Sequence, residues 1–325
     1  MNIFLAVISL VAGVIILWKS AELLVTGAVA IAEHFGISSL VVGLTVVAMG
    51  TSAPEVAASI AGVLHKTGGG DLAVGNVFGS NIANLALVGG LIALIRPLEV
   101  RKQTIRREIP VMIFTALLLW PFLHNAFLSR PEALILLFIF SVLIYLTVYE
   151  AKRESVQTRK AINEISEGLT KDEQDTKKNI VYIIIGLAGL ALGAKLTVDG
   201  AVSIGRLVGL SEAVIALTII ALGTSLPELV TCVVAAVKGH HDISVGNLVG
   251  SNVFNTLLVI GAAGIIRPFN IEQRLAGGVD YWIMISISVA FTLAIIIGHR
   301  VISRLAGIVL LCIYAGYIIY LYIPS

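Results

Sequence analysis

Charge is what this sequence has least of: Asp, Glu, Lys and Arg make up 13% of its 325 residues, while 58% are hydrophobic. So apolar a chain excludes a soluble domain with a large core and reads as a polytopic membrane protein. Cysteine is nearly absent as well. Cys232 and Cys312 both lie in apolar runs, so packing thiols are expected rather than a disulfide or metal framework. The net charge is only +2 and no basic patch carries interleaved aromatics, which excludes nucleic acid as a partner. No His-Glu-x-x-His is present, which argues against a zinc membrane protease, and no nucleophile–base pairing suggests an enzyme of another kind. No positive residue precedes the first apolar stretch, and Lys19 follows it. A first membrane helix that stays is therefore expected, rather than a cleaved signal peptide.

What the chain does have is ten apolar segments, near 2–18, 37–64, 72–95, 109–123, 132–149, 179–198, 210–237, 243–266, 280–298 and 302–323. A span needs roughly 20 residues, so the longer ones read as tilted or broken helices. Residues 17–36 carry Lys19, Glu22, Glu33 and His34 and read as a helix leaving the membrane towards a turn at Gly36. Residues 150–178 mix both charge signs without the acidic spacing of a calcium loop. They read as a solvated linker with some helix.

Two stretches recur. Ala48-Met49-Gly50-Thr51-Ser52-Ala53-Pro54-Glu55 returns as Ala221-Leu222-Gly223-Thr224-Ser225-Leu226-Pro227-Glu228. Asp71 to Asn84, containing Gly-Asn-x-x-Gly-Ser-Asn-x-x-Asn, returns as Asp242 to Asn255. Phe35-Gly36-Ile37-Ser38 against Val208-Gly209-Leu210-Ser211, and Ile95-Arg96-Pro97 against Ile266-Arg267-Pro268, spread the match over whole halves. Duplication follows. The expected organisation is a first half, 1–149, a cytoplasmic charged linker, 150–178, and a second half, 179–325. Five spans per half force the second half to enter the membrane from the opposite side. Sixteen Lys and Arg fall in connections on one face and six on the other, which sets the linker inside and both termini outside. The expected fold is all-α, ten transmembrane helices in two inverted five-helix repeats, a design used by secondary transporters.

Each Gly-Thr-Ser-x-Pro-Glu motif breaks its helix. Pro54 has no N–H for the carbonyl of Gly50, and Pro227 none for that of Gly223. Free carbonyls, hydroxyls and a carboxylate are thereby gathered at membrane depth, where non-helical backbone must be buried in protein or line a polar cavity. An ionisable residue there is a functional candidate by default. Asn76, Ser80 and Asn84 form an i, i+4, i+8 stripe on the next helix, repeated by Asn247, Ser251 and Asn255. Gly75 and Gly79 give small-xxx-small spacing for close helix approach. Asn81 and Asn252, off the stripe, read as interhelical hydrogen-bonding residues. Folded about a two-fold axis in the membrane plane, Glu55 and Glu228 face each other, and a doubly charged pair there needs a counter-charge. One divalent ion supplies it, or several monovalent ions or protons. Oxygen-only ligation favours Ca²⁺ or Na⁺ over transition metals.

The duplicated motif pair resembles the alpha repeats of the cation/calcium exchanger superfamily, over all ten segments and the central loop. The resemblance implies an antiporter that exchanges Na⁺, or H⁺ in some branches, for Ca²⁺ by alternating access, with the first and sixth helices sliding against the rest. It carries the ion site to Glu55 and Glu228 as shared carboxylates and to Thr51, Ser52, Thr224 and Ser225 as hydroxyl and carbonyl ligands. Ala48 and Ala221 follow as backbone ligands, and Ser80, Asn84, Ser251 and Asn255 complete the set. Glu55, Glu228, Thr51 and Thr224 would hold the metal ion itself. Three departures stand out. Ala53 replaces a usual Leu, Asn255 stands where potassium-dependent relatives carry Asp, and the linker lacks a large calcium-sensing insert. A sodium/calcium antiporter of a prokaryotic cytoplasmic membrane is therefore expected, with a proton/calcium antiporter as the nearest alternative and a passive cation channel as a remote one. No cofactor is expected; the partners are the two ions and the lipid bilayer, and a monomer suffices.

Overall fold

The chain opens with a long helix, Ile3–Phe35, capped by the Asn2 side chain and stopped by Gly36 at φ 64. A computed structural model describes residues 2–64, 69–163, 173–210, 215, 219 and 221–321. Glycine is required at that stop because a Cβ is penalised at positive φ. Gly209, at φ 83, ends the helix Glu173–Leu207 in the same way. The bonds match too: Gly36 and Ile37 donate to the Glu33 and Ala32 carbonyls, Gly209 and Leu210 to those of Arg206 and Gly205. The sequence repeat has aligned two helix stops.

These two long helices pack along each other. Glycines let their backbones meet, as the contacts at Gly13, Gly186, Gly193 and Gly200 show: a Cβ on Gly193 would stand 2.8 Å from Leu17 N. Next come Ser39–Thr51 and Ala53–Leu64, bent by 41° at the break, where Ser52 leaves helical geometry at φ −85 and ψ 5. The break expected from Gly50 and Pro54 is there. The helix Gly69–Ile95 follows, then Glu108–Leu118, Trp120–Leu123 and Arg130–Asn163. After Glu173–Leu207 the order recurs with Ala221–Gly223, Leu226–Val237, His241–Ile266, Val279–Ile297 and Arg304–Leu321. Among the described residues seven helices are long and apolar enough to cross a membrane, or eight if the bent pair counts as one span. The expected segment 109–123 divides at Leu119 into two short helices, and 211–214, 216–218 and 220 of the segment 210–237 lie outside the described residues.

Burial is distributed as a bilayer requires. Phe4, Phe138, Ile297 and Leu305 face outward, while Glu55, Glu228, Asn84, Asn247 and Asn255 are buried. With lipid outside, burying apolar surface gives little drive for helix association, and polar contacts hold the interior.

The fold is all-α as expected, with two short strand pairs added among the described residues. Four two-residue strands pair across the halves: β1 (Leu98–Glu99) antiparallel to β4 (Val301–Ile302), and β2 (Phe127–Leu128) antiparallel to β3 (Phe269–Asn270). β1 and β3 follow the two Arg-Pro pairs, where proline ends the helix and the next residues extend. Helix enters the charged segment 150–178 from both sides. Helices run to Asn163 and from Glu173, and residues 164–172 lie outside the described residues. Gly75 and Gly79 do not make the close approach expected of them among the described residues, since nothing lies within 4 Å of a Cβ built on either. Their counterparts Gly246 and Gly250 do, against the Leu40 and Leu44 carbonyls at 2.7 and 2.8 Å. At the repeat's shift of 173 the positions matching Leu40 and Leu44 are 213 and 217, which lie outside the described residues.

Candidate ion-binding site

Glu55 lies in the first turn of Ala53–Leu64 and Glu228 in the first turn of Leu226–Val237, both fully buried at 0% exposure. The first turn of a helix has N–H groups without intrahelical acceptors and a positive dipole end, which favours a carboxylate. The preceding break, on its other side, leaves helix C-terminal carbonyls. Each motif thus builds an acid and a set of carbonyl and hydroxyl oxygens from one interrupted span.

The two copies meet. Ser52 Oγ donates to Glu228 Oε1 at 3.0 Å, and Ser225 Oγ to Ser80 Oγ at 3.3 Å, which itself donates to Glu55 Oε1 at 3.3 Å. The chain therefore crosses between its halves twice, and the carboxylates are electrostatic neighbours. Thr51 Oγ1 donates to Asn247 Oδ1 at 3.0 Å, with a longer contact to Ala48 O at 3.4 Å. Ala48 O also accepts the Ser52 N–H at 3.0 Å. Thr224 stands beside Glu55, and its Oγ1 has no hydrogen-bond partner among the described residues. Ala221 begins the short helix Ala221–Gly223 just before it.

Asn84 and Asn255 lie fully buried in π-helical segments, Ala83–Val88 and Asn255–Val259. A π turn closes i→i+5 bonds and marks functional sites in many helices. Here it resets the register of residues that a regular helix would place on one stripe. Nothing in the spacing announces it. Ser251 departs from its counterpart Ser80, donating to Asn247 Oδ1 at 3.4 Å instead of to a glutamate.

The stripe residues Asn76 and Asn247 serve the motif helices from behind. Asn76 Nδ2 donates to the Glu55 carbonyl at 3.3 Å and to Ser59 Oγ at 3.0 Å; Asn247 Nδ2 reaches Cys232 Sγ at 3.2 Å. Arg96 caps the C-terminal carbonyls of Ala236 and Val237, at 3.3 and 3.0 Å. Arg267 does the same to Val63 O at 3.4 Å, so each half's Arg-Pro arginine closes the other half's motif helix. The repeated Ile-Arg-Pro was visible in the sequence; that its arginine reaches across was not.

Several buried atoms at this centre have no hydrogen-bond partner among the described residues: Glu55 Oε2, Glu228 Oε2, both Asn84 side-chain polar atoms and Asn255 Oδ1. Unpaired buried polar atoms are costly and need an explanation. Carboxylate and amide oxygens in this number, with hydroxyls beside them, suit a hard cation.

The family model described as sodium/calcium exchanger protein matches residues 5–149 and 178–323. The chain is 39% identical to the Alkalimonas amylolytica protein named as antiporter CaxA, over 96% of this chain and 97% of that protein. It is 31% identical to the sodium/calcium exchanger MaX1 of Methanosarcina acetivorans, over 96% and 97%. Its fold is similar to that of the sodium-calcium exchanger NCX_Mj soaked with zero Na⁺ and Ca²⁺, with a TM-score of 0.80 and 30% identity over 98% of this chain and 100% of that one.

Proposed function

Since the chain belongs to the sodium/calcium exchanger protein family, we propose that this multi-pass antiporter exchanges Na⁺ for Ca²⁺ at one site shared by Glu55 and Glu228. The observation that carries the reading is the pair of buried glutamates, one from each half, each with an oxygen unpaired and each tied to a serine of the other motif copy directly or through Ser80. Thr51, Ser52, Ser80, Asn84 and Ala48 would complete the ion shell from one half. Thr224, Ser225, Ser251, Asn255 and Ala221 would do so from the other.

The electrostatics give the exchange. Two carboxylates at the centre of a low-dielectric interior are balanced by one Ca²⁺ or by at least two Na⁺, and are strongly unfavourable with neither. Crossing the membrane without cargo is thereby suppressed, while crossing with either cargo is allowed. In this reading ten spans form two inverted halves, 1–149 and 179–325, with both termini outside and 150–178 cytoplasmic. The excess of Lys and Arg in the connections on one face supports that orientation. A relative, the inner membrane protein YrbG of Escherichia coli, is 36% identical over 89% of this chain and 88% of that protein, which supports a cytoplasmic-membrane location. Hydroxyl and carbonyl oxygens around the acids support Na⁺ over H⁺ as the counter-ion, because a proton needs only the carboxylate.

The test is ⁴⁵Ca²⁺ uptake into proteoliposomes loaded with Na⁺ at matched pH, beside a set loaded with choline and given an outward proton gradient. Uptake driven by internal Na⁺ supports sodium exchange. Uptake driven only by the proton gradient makes the protein a proton/calcium antiporter, and flux indifferent to both gradients makes it a channel.

A further inference from the structure

Asn255 is held by a hydrogen-bond chain that its counterpart Asn84 lacks. Thr256 Oγ1 donates to the Asn252 carbonyl at 2.7 Å. A carbonyl can only accept, so the hydroxyl proton is committed there. The hydroxyl oxygen then accepts from Asn81 Nδ2 at 3.1 Å, and the same nitrogen lies 3.6 Å from Met284 Sδ, another acceptor. The Asn81 amide is thus set with its nitrogen towards Thr256 and Met284. Its oxygen accepts from Asn255 Nδ2 at 3.2 Å. Asn255 must therefore present its nitrogen to Asn81 and its Oδ1, which has no hydrogen-bond partner among the described residues, the other way. All three side chains are buried, so water does not compete for these bonds.

The repeat supplies the control. Shifted by 171 residues, Asn255 becomes Asn84, Asn252 becomes Asn81 and Thr256 becomes Leu85. Leucine cannot anchor such a chain. Asn252 donates to its own helix, at Leu248 O, and both polar atoms of the Asn84 side chain are unpaired among the described residues. One asparagine is oriented and the other is not.

We infer that Thr256 and Asn81 are positioning residues that hold the Asn255 amide with its oxygen towards the ion site, making Asn255 a committed oxygen ligand. The inference rests on the reading of Asn255 as a ligand. An amide free to turn can present a donor N–H to a cation, which repels it; the chain from Thr256 removes that alternative. An aspartate at 255 would have oxygen on both arms and would need no such orientation.

The experiment measures the Ca²⁺ concentration that half-saturates thermal stabilisation of the purified full-length protein in detergent, a readout independent of transport. Thr256→Val is expected to raise it about fivefold, the scale of one neutral hydrogen bond, and Thr256→Ser, which keeps the hydroxyl, to leave it unchanged. Asn81→Leu, with similar volume and no acceptor, is expected to behave as Thr256→Val. In an Asn255→Asp background, Thr256→Val is expected to have no effect. Equal shifts in both backgrounds would mean that Thr256 serves only packing and would overturn the inference, as would no shift from Thr256→Val and Asn81→Leu while Asn255→Ala shifts. No shift from Asn255→Ala would instead remove the ligand reading itself, and the inference with it.

Discussion

Ser52 and Ser225 hold the same place in two copies of one motif, yet they reach different partners. Ser52 donates directly to a glutamate of the opposite half, whereas Ser225 reaches Ser80, which in turn reaches Glu55. The difference continues outward: Ser80 touches a glutamate and Ser251 an asparagine. Duplication has kept the charges symmetric, one acid per half, while the neutral groups around them have diverged. That is a workable division in an exchanger. The charge sets how much cation the site must hold, and neutral oxygens decide how a given ion fits.

The strongest way to break the comparison is to remove one charge. Glu55→Gln and Glu228→Gln are each expected to cut ⁴⁵Ca²⁺ uptake by ~10²–10⁴-fold, since breaking a buried charged arrangement costs about 3–5 kcal/mol. Unequal effects of the two would show that the charges are not shared. Next come the asparagines. Asn255→Ala should raise the half-saturating Ca²⁺ for uptake about tenfold and Asn84→Ala about threefold, both within the ~0.5–1.5 kcal/mol range of a net hydrogen bond; a reversed order would deny that orientation matters. The serines sharpen the contrast. Ser52→Ala, losing a bond to a carboxylate, should weaken apparent Ca²⁺ affinity about fivefold, and Ser225→Ala, losing a hydroxyl–hydroxyl bond, less than about twofold. The smallest effect belongs to the crossing arginines. Arg96→Ala and Arg267→Ala should each lower thermal stability by about 0.3–1 kcal/mol as a helix C-terminus loses its cation, read as a small fall in melting temperature with Ca²⁺ affinity unchanged.

The elements legible in the sequence are those whose cause is local. Pro54 four residues after Gly50 foretells the bend at Ser52, and Gly36 and Gly209 foretell two helix stops, because each acts on the backbone within one turn. The burial of Glu55, Glu228 and Ser80 was legible because polar residues inside apolar runs must find their partners within the protein. The π segments holding Asn84 and Asn255 were not, since a π turn is chosen by packing among helices rather than by its own residues. Nor were the four short strands, whose partners are more than a hundred residues apart. Asn81 read as a plain interhelical hydrogen bond. That was right as far as it went; only its neighbours Thr256 and Asn255 give the bond a direction.

The central claim is that two halves build one ion site, and equilibrium ⁴⁵Ca²⁺ binding to the purified protein tests it most directly. The account predicts one Ca²⁺ per chain, lost in either glutamine variant, and displaced by Na⁺ with a Hill coefficient above one because more than one Na⁺ must replace each Ca²⁺. Binding that persisted at half its level in each single variant would contradict it, since that is the result of two independent sites.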